Sequence, residues 1–98
     1  MTIKKEVNGS KLNIALVGRL DTNTSQKLEK ELKSSLENIQ ELVFDLTQLE
    51  YISSAGLRVL LTAQKTMNKQ GSMTVCNVNE MVMEVFEMTG FVDILTIV

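Results

Sequence analysis

The sequence predicts an α/β fold in which a mixed β-sheet of about five strands, opened by a hairpin, packs against about three helices. Three observations lead to this prediction. Strand-like and helix-like segments alternate along the chain, an Asn8-Gly9 pair separates the first two strand-like segments, and the apolar run 42–46 is typical of a central strand. The 98 residues suffice for one modest hydrophobic core, so we expect a single domain spanning residues 1–98.

The N-terminal half predicts three strands and one helix. Segments 3–7 and 11–17 form the hairpin, with the Asn-Gly pair in a type I′ turn or a slightly longer loop. Leucines recur at helical spacing within 24–39, which predicts the first helix. The candidate caps of this helix are Thr22, Asn23, Thr24 and Ser25. The run 42–46 then predicts a strand that is buried on both faces.

The second helix is predicted at 55–70, where apolar and polar residues separate onto opposite faces. Gly71 follows this helix directly, and glycine after a helix is typical of a cap residue in the left-handed conformation. The segment 73–77 then predicts a short strand.

A third helix and a last strand complete the prediction. Asn79 is positioned to cap a helix that runs to Met88 and is closed by Gly90, and segment 93–98 predicts the last strand. Three methionines of this helix are interpreted as core residues: Met81, Met83 and Met88.

Composition and charge argue against several classes of function. The net charge is −2 with acidic and basic residues intermixed, so no basic stripe is present for nucleic acid. No segment approaches the roughly 20 apolar residues that cross a bilayer, and the N-terminus does not resemble a signal peptide. The single cysteine, Cys76, cannot form an internal disulfide, and we interpret it as a buried, inert thiol. We therefore expect a cytoplasmic protein without membrane or nucleic-acid partners.

Catalytic motifs are missing from the sequence. The chain has no histidine, which excludes a Ser-His-Asp triad and most catalytic zinc sites. Ser54 does not lie in a Gly-x-Ser-x-Gly elbow, because Ile52 occupies the first glycine position. Gly56 stands alone, without the Gly-Lys-Ser/Thr run of a phosphate-binding loop. We predict a binding protein without metal or cofactor, and a small enzyme is the least favoured alternative.

The segment 49–61 carries the candidate functional site. Two adjacent hydroxyls, on Ser53 and Ser54, stand just before or at the start of the apolar-periodic second helix. A serine oxygen caps a helix by accepting a hydrogen bond from a free amide of the first turn. The same amides and the helix dipole favour an added phosphate. The pair is therefore either an ordinary cap or a phosphorylation site that switches the charge of a preformed surface.

Three motifs resemble the STAS domain family of bacterial anti-sigma-factor antagonists, in the order and spacing of that family. They are GRLDT at 18–22, YISSAGLR at 51–58 preceded by Asp45, and MTGF at 88–91. The first resembles a conserved loop, the second the phosphorylation segment, and the third a late helix-to-strand turn. The resemblance covers nearly the whole chain, and it implies a mixed sheet with helices packed on it.

The resemblance also implies a phosphorylation switch. In these antagonists the serine two residues before the glycine is phosphorylated by the anti-sigma factor, which is a serine kinase. That serine is Ser54 here, two residues before Gly56. Many members carry an acid immediately before the phosphorylated serine, whereas this chain has Ser53, which is the second choice for the phosphate. The unphosphorylated antagonist binds the kinase and frees the sigma factor, phosphorylation abolishes that complex, and a PP2C-type phosphatase restores it.

Contacts with the partner are expected around the same serine. The predicted partner-binding residues are Asp21, Ser53, Ser54, Gly56 and Arg58. Asp21 is equally consistent with a turn or cap role, Gly18 is interpreted as a backbone requirement, and Asp45 is expected to order the following loop by accepting backbone amides. We expect a monomer. The alternative function is a STAS-like scaffold module that is never phosphorylated and docks in a larger signalling or transport complex.

Overall fold

The computed structural model describes residues 1–98, in which four strands form one mixed sheet and three helices pack against it. The strands are β1 (Thr2–Asn8), β2 (Lys11–Leu20), β3 (Glu41–Ile52) and β4 (Ser72–Cys76), and the helices are α1 (Thr22–Ser35), α2 (Ser54–Gln70) and α3 (Glu80–Thr89). β1 runs antiparallel to β2, whereas β2, β3 and β4 are parallel to one another. The predicted α/β class and mixed sheet are confirmed. No helix has both the length and the apolar character that crossing a membrane requires.

The fifth strand is reduced to a single bridge. A 3-10 turn at Phe91–Asp93 follows α3 and ends on Asp93, the residue at which the last strand was predicted to begin. Only Ile97 pairs with β4, opposite Val75. Two backbone hydrogen bonds of 2.9 and 3.0 Å hold this bridge on the edge of the sheet.

The helices cover one face of the sheet. Leu42, Phe44 and Leu46 of β3 are fully buried beneath them, whereas Val43 and Asp45, which point to the other face, are only half-buried. The 23 buried apolar residues, most of them on strands and helices, form one contiguous cluster. The prediction that segment 42–46 is buried on both faces is therefore wrong, although its strand is central in the sheet.

Two bulges in β3 explain why this strand is longer than predicted. The register against β2 shifts between the pairs Ala15–Asp45 and Val17–Gln48, and again between Gly18–Leu49 and Arg19–Tyr51. At each shift β3 contributes one extra residue, so its buried positions fall at 42, 44, 46, 49 and 52 instead of at every second residue. The alternation that predicts a strand thus breaks after 46, while the hydrogen-bonded strand continues to Ile52.

The hairpin turn and the end of α1 both differ from the prediction. The hairpin turn consists of Gly9 and Ser10, and only Gly9 has a positive φ, of 61°. A type I′ turn needs two such residues, so the predicted type is wrong and the pattern is that of a type II′ turn. Helix α1 was predicted within 24–39 but ends at Ser35, and Asn38 in the following loop has a φ of 67°.

Helix α3 ends where the sequence predicts. The side chain of Asn79 accepts a hydrogen bond from the Val82 amide at 2.9 Å, and Gly90 closes the helix with a φ of 79°. The interpretation of its methionines as core residues is wrong for Met81 and Met88, because both side chains are exposed.

Gly71 is required by a close backbone approach and not by a left-handed conformation. Its φ of 175° is extended, so the prediction of a left-handed cap is wrong. A Cβ atom at Gly71 would overlap the carbonyl group of Gln40. The oxygen of that carbonyl accepts a 2.9 Å hydrogen bond from the Ser72 amide, which aligns the start of β4 with β3.

We expect Gly71→Ala to lower the free energy of unfolding by about 3 kcal/mol, because the added methyl group cannot avoid the Gln40 backbone. Ser72→Ala is the matched control, since Ser72 is exposed and the change should stay within about 0.5 kcal/mol. Urea unfolding followed by circular dichroism measures both values. Equal stabilities for the two variants would contradict the packing account of Gly71.

Candidate functional site

Helices α1 and α2 begin side by side at the same edge of the sheet. Leu20, the last residue of β2, pairs with Ile52, the last residue of β3. The pairing is extended by a hydrogen bond of 2.9 Å from the Ser53 amide to the Leu20 carbonyl oxygen. Asp21 and Ser53 directly follow the two paired residues and directly precede α1 and α2, so they lie on adjacent segments of the backbone. The loops that the sequence analysis singled out separately therefore form one surface.

Ser53 is the N-cap of α2. Its side-chain oxygen accepts a hydrogen bond from the Gly56 amide at 3.2 Å, and its carbonyl accepts one from the Leu57 amide at 2.9 Å. The backbone of Ser53 is extended, with φ −94° and ψ 174°, as a residue before the first helical turn should be. The side chain is half-buried and is committed to holding the helix start.

Ser54 is the first residue of α2 and has a different environment. Its side chain is exposed, and the cap hydrogen bond of this helix is made by Ser53 alone. The hydroxyl of Ser54 therefore stands free at the N-terminal end of a 17-residue helix. Free amides and the positive end of the helix dipole make such a position favourable for an anion.

Gly56 lets α2 approach the ends of β2 and β3 closely. A Cβ atom at this position would lie 2.8 Å from Leu20 Cγ and 2.9 Å from Ile52 Cγ1. Gly56 was predicted to contact a partner, but it is buried, so its role in the structure is to position the serines above it. A direct contact of Gly56 with a partner stays a prediction.

Asp21 is the N-cap of α1. Its carboxylate accepts hydrogen bonds of 3.0 Å from the amides of Asn23 and Thr24, and the Thr24 hydroxyl in return accepts one from the Asp21 amide at 2.8 Å. The cap is thus one residue earlier than the candidates at 22–25. The hydrogen bond from the Thr24 amide is the main cause that lowers the pKa of Asp21, so the half-buried side chain carries its charge at neutral pH.

Asp45 supports the first bulge of β3. Its carboxylate accepts hydrogen bonds from the Thr47 amide at 3.0 Å and from the Asn77 side chain at 3.2 Å. The expected contact with a backbone amide is confirmed, but the segment that follows Asp45 is strand to Ile52 and not the expected loop. The hydroxyl of Thr47 is a further donor and is the main cause that lowers the pKa of Asp45. Beside it, Cys76 is half-buried rather than buried, and burial raises the pKa of its thiol. Gly18 has a φ of 103°, which confirms its backbone role.

Three further side chains frame the two helix starts. The Arg19 guanidinium carbon lies 4.2 Å from the centre of the Tyr51 ring, in a cation–π contact between paired residues of β2 and β3. Sequence reasoning did not select this pair, although each member stands two residues before a helix cap. Arg58 is exposed one turn after Ser54 and lines a groove between α1 and α2. No group of three or more acidic or cysteine side chains is close enough to hold a metal ion.

Comparisons with known proteins agree with this architecture. BtrV of Bordetella bronchiseptica is 40% identical over an alignment of 81 positions, which covers 81% of this chain and 70% of BtrV. A Paenibacillus polymyxa protein named anti-sigma F factor antagonist is 32% identical over an alignment of 100 positions, which covers 99% of this chain and 86% of the relative. The anti-sigma factor antagonist SpoIIAA in its unphosphorylated form superposes with a TM-score of 0.86 at 17% identity, covering 99% of this chain and 88% of SpoIIAA.

SpoIIAA is also known in its phosphorylated form, which superposes with a TM-score of 0.78 at 16% identity, over 99% of this chain and 91% of that protein. At these identities the likeness establishes the fold. The family model described as the STAS domain matches residues 2–98, nearly the whole chain. The chain therefore belongs to the STAS domain family.

Proposed function

We propose that this chain is an anti-sigma-factor antagonist that is switched by phosphorylation of Ser54. In its unphosphorylated form it binds an anti-sigma factor with serine kinase activity and thereby releases the sigma factor. Phosphorylation by that kinase ends the complex, and a PP2C-type phosphatase restores the binding form. The observation that carries the proposal is the free, exposed hydroxyl of Ser54 at the start of α2. The name of the Paenibacillus relative supports the partner class.

The environments of the two serines favour Ser54 as the phosphorylated residue. A phosphate on Ser53 would turn the oxygen that caps α2 into a weakly accepting ester oxygen, so the hydrogen bond from the Gly56 amide would have to rearrange around the half-buried side chain. A phosphate on Ser54 displaces no hydrogen bond of the cap. It would also meet the positive end of the helix dipole, which stabilises an anion at this position.

The switch would act through charge on a surface that keeps its shape. A phosphate adds about −1.5 to −2 charges at pH 7. On the free chain, water solvates this charge, whereas in a docked interface the same charge is desolvated and faces the partner. A thousandfold loss of affinity requires only about 4 kcal/mol, which is within the range of such an effect.

The partner surface would extend from Ser54 across both helix starts. Asp21 contributes a charged carboxylate on the neighbouring helix start, and its position beside Ser53 supports a role in recognition as well as in capping. Arg58 is exposed and makes no ion pair within the chain, so its guanidinium is available to a partner. Arg19 and Tyr51 add an exposed aromatic–cation pair at the same edge.

The same proposal assigns residues 1–98 to one domain that acts as a monomer in the cytoplasm, as a binding protein without catalytic activity. Its competitor is the scaffold module, which would bind its partners in the same way whether or not Ser54 carries a charge. The dependence of partner binding on that charge separates the two functions.

We expect Ser53→Ala to lower the free energy of unfolding by about 1 kcal/mol, because the Gly56 amide loses its acceptor. Ser54→Ala is the matched neighbour and should change stability by less than about 0.5 kcal/mol. Denaturant titration of both variants gives the comparison. A larger loss for Ser54→Ala than for Ser53→Ala would mean that Ser54 is the structural residue, and the assignment would be wrong.

Incubation with the purified kinase-type anti-sigma factor of the same organism should place one phosphate on Ser54, as read by peptide mass spectrometry. Ser54→Ala should abolish the modification and Ser53→Ala should retain it. Phosphate found on Ser53, or on both serines equally, would contradict the division of roles between them.

Ser54→Asp should weaken binding of that anti-sigma factor at least about tenfold, equivalent to 1.4 kcal/mol, while the melting temperature stays close to that of the wild type. Ser34→Asp is the control, because Ser34 is exposed near the far end of α1 and the added charge is the same. Isothermal titration calorimetry measures the affinities. Unchanged binding by both variants would favour the scaffold module.

A further inference from the structure

The outer side of α3 carries an exposed apolar row. Met81 and Met88 have 60% and 79% of their surface exposed, and Val92 in the following turn has 37%. Val85 lies between the two methionines and packs against the core from the same row. Met81, Val85 and Met88 are spaced by four and three positions, so they fall on one side of α3, whereas Val92 lies in the turn after Gly90. We call Met81, Val85 and Met88 the methionine row.

An acidic row runs beside the methionine row. Glu80, Glu84 and Glu87 are exposed, and each of them directly precedes a member of the methionine row in the sequence. The last basic residue of the chain is Lys69, so no lysine or arginine of α3 or of the segment after it offsets these carboxylates. The next charged residue after Glu87 is Asp93, which is also acidic. The surface of α3 is therefore apolar on one strip and uniformly negative on the adjoining strip.

We propose that this surface docks a basic amphipathic helix of a partner protein, with apolar side chains on the methionine row and lysines or arginines on the acidic row. Methionine is flexible and polarisable, which suits a surface that must fit apolar side chains of varied shape. The opposite charges of the two helices fix the partner's orientation and exclude acidic segments. The proposal goes beyond the phosphorylation switch, because it uses α3 and not the starts of α1 and α2.

The charge pattern favours this occupant over the others. Phosphate-rich partners such as nucleic acid or an anionic membrane would be repelled by the three glutamates. A second copy of the chain offers three lysines on α1, at Lys27, Lys30 and Lys33, but Glu29 lies among them and pairs with Lys33 at 3.4 Å. The leucines of that helix, Leu28 and Leu32, are buried, so α1 provides the charges without the exposed apolar row.

The test uses a synthetic helical peptide of leucine and lysine, with leucine on one face, and the intact chain labelled with carbon-13 at its methionine methyl groups. In NMR titrations the signals of Met81 and Met88 should shift, whereas those of the buried Met67 and Met73 should not. A leucine–glutamate peptide of the same pattern is the control probe and should not bind. Absence of binding by the lysine peptide, or equal binding by both peptides, would overturn the proposal.

Variants locate the contact. Two double variants should each lower the affinity for the lysine peptide at least about tenfold. One carries Met81→Gln and Met88→Gln, and the other carries Glu84→Lys and Glu87→Lys. Val7→Gln removes a side chain that is 61% exposed on β1 and should leave the affinity unchanged. The Ser54→Asp variant should bind the lysine peptide with unchanged affinity, so that the result for α3 is independent of the proposed phosphorylation switch. Unchanged affinity in the methionine variant would refute the proposal, as would a concentration-dependent dimer that this variant abolishes.

Discussion

The parallel pairing of Leu20 with Ile52 is the constraint on which the site depends. It ends β2 and β3 at the same level, so that α1 and α2 both begin at this edge of the sheet. The hydrogen bond from the Ser53 amide to Leu20 extends the pairing by one residue, and Gly56 lets α2 settle onto the two strand ends. Two helix N-termini thus share one surface, where their positive dipole ends and exposed side chains act together.

The sequence predicted the order of elements because their local signals are strong: leucines at helical spacing, glycines after helices and an alternating hairpin. It did not predict the length of β3, because each bulge shifts the apolar alternation while leaving the hydrogen bonds in place. Gly71 was misinterpreted for a similar reason, since its requirement is a tertiary approach to Gln40 that local patterns do not contain. The exposure of Met81 and Met88 depends on what covers α3, which sequence periodicity cannot supply.

Within the candidate site, the sequence placed both serines at or just before the start of α2 but did not resolve the structural difference between them. Ser53 and Ser54 are chemically identical, and only the register of α2 decides which oxygen meets the Gly56 amide. Once that register is known, one hydroxyl stabilises the helix and the other is free to be modified. At the start of α1 one residue, Asp21, both caps the helix and carries a charge. At the start of α2 the two roles are separate, because Ser53 caps the helix and Ser54 is the residue that a phosphate would charge. This separation is what would let a phosphate alter binding without altering the fold.

The most direct test of this account compares amide NMR spectra of the chain before and after phosphorylation on Ser54. We predict shifts confined to the first turn of α2 and to the neighbouring start of α1, with the amides of the central sheet unchanged. Widespread shifts through β3 and β4, or loss of signal dispersion, would contradict the claim that the phosphate adds charge to a preformed surface.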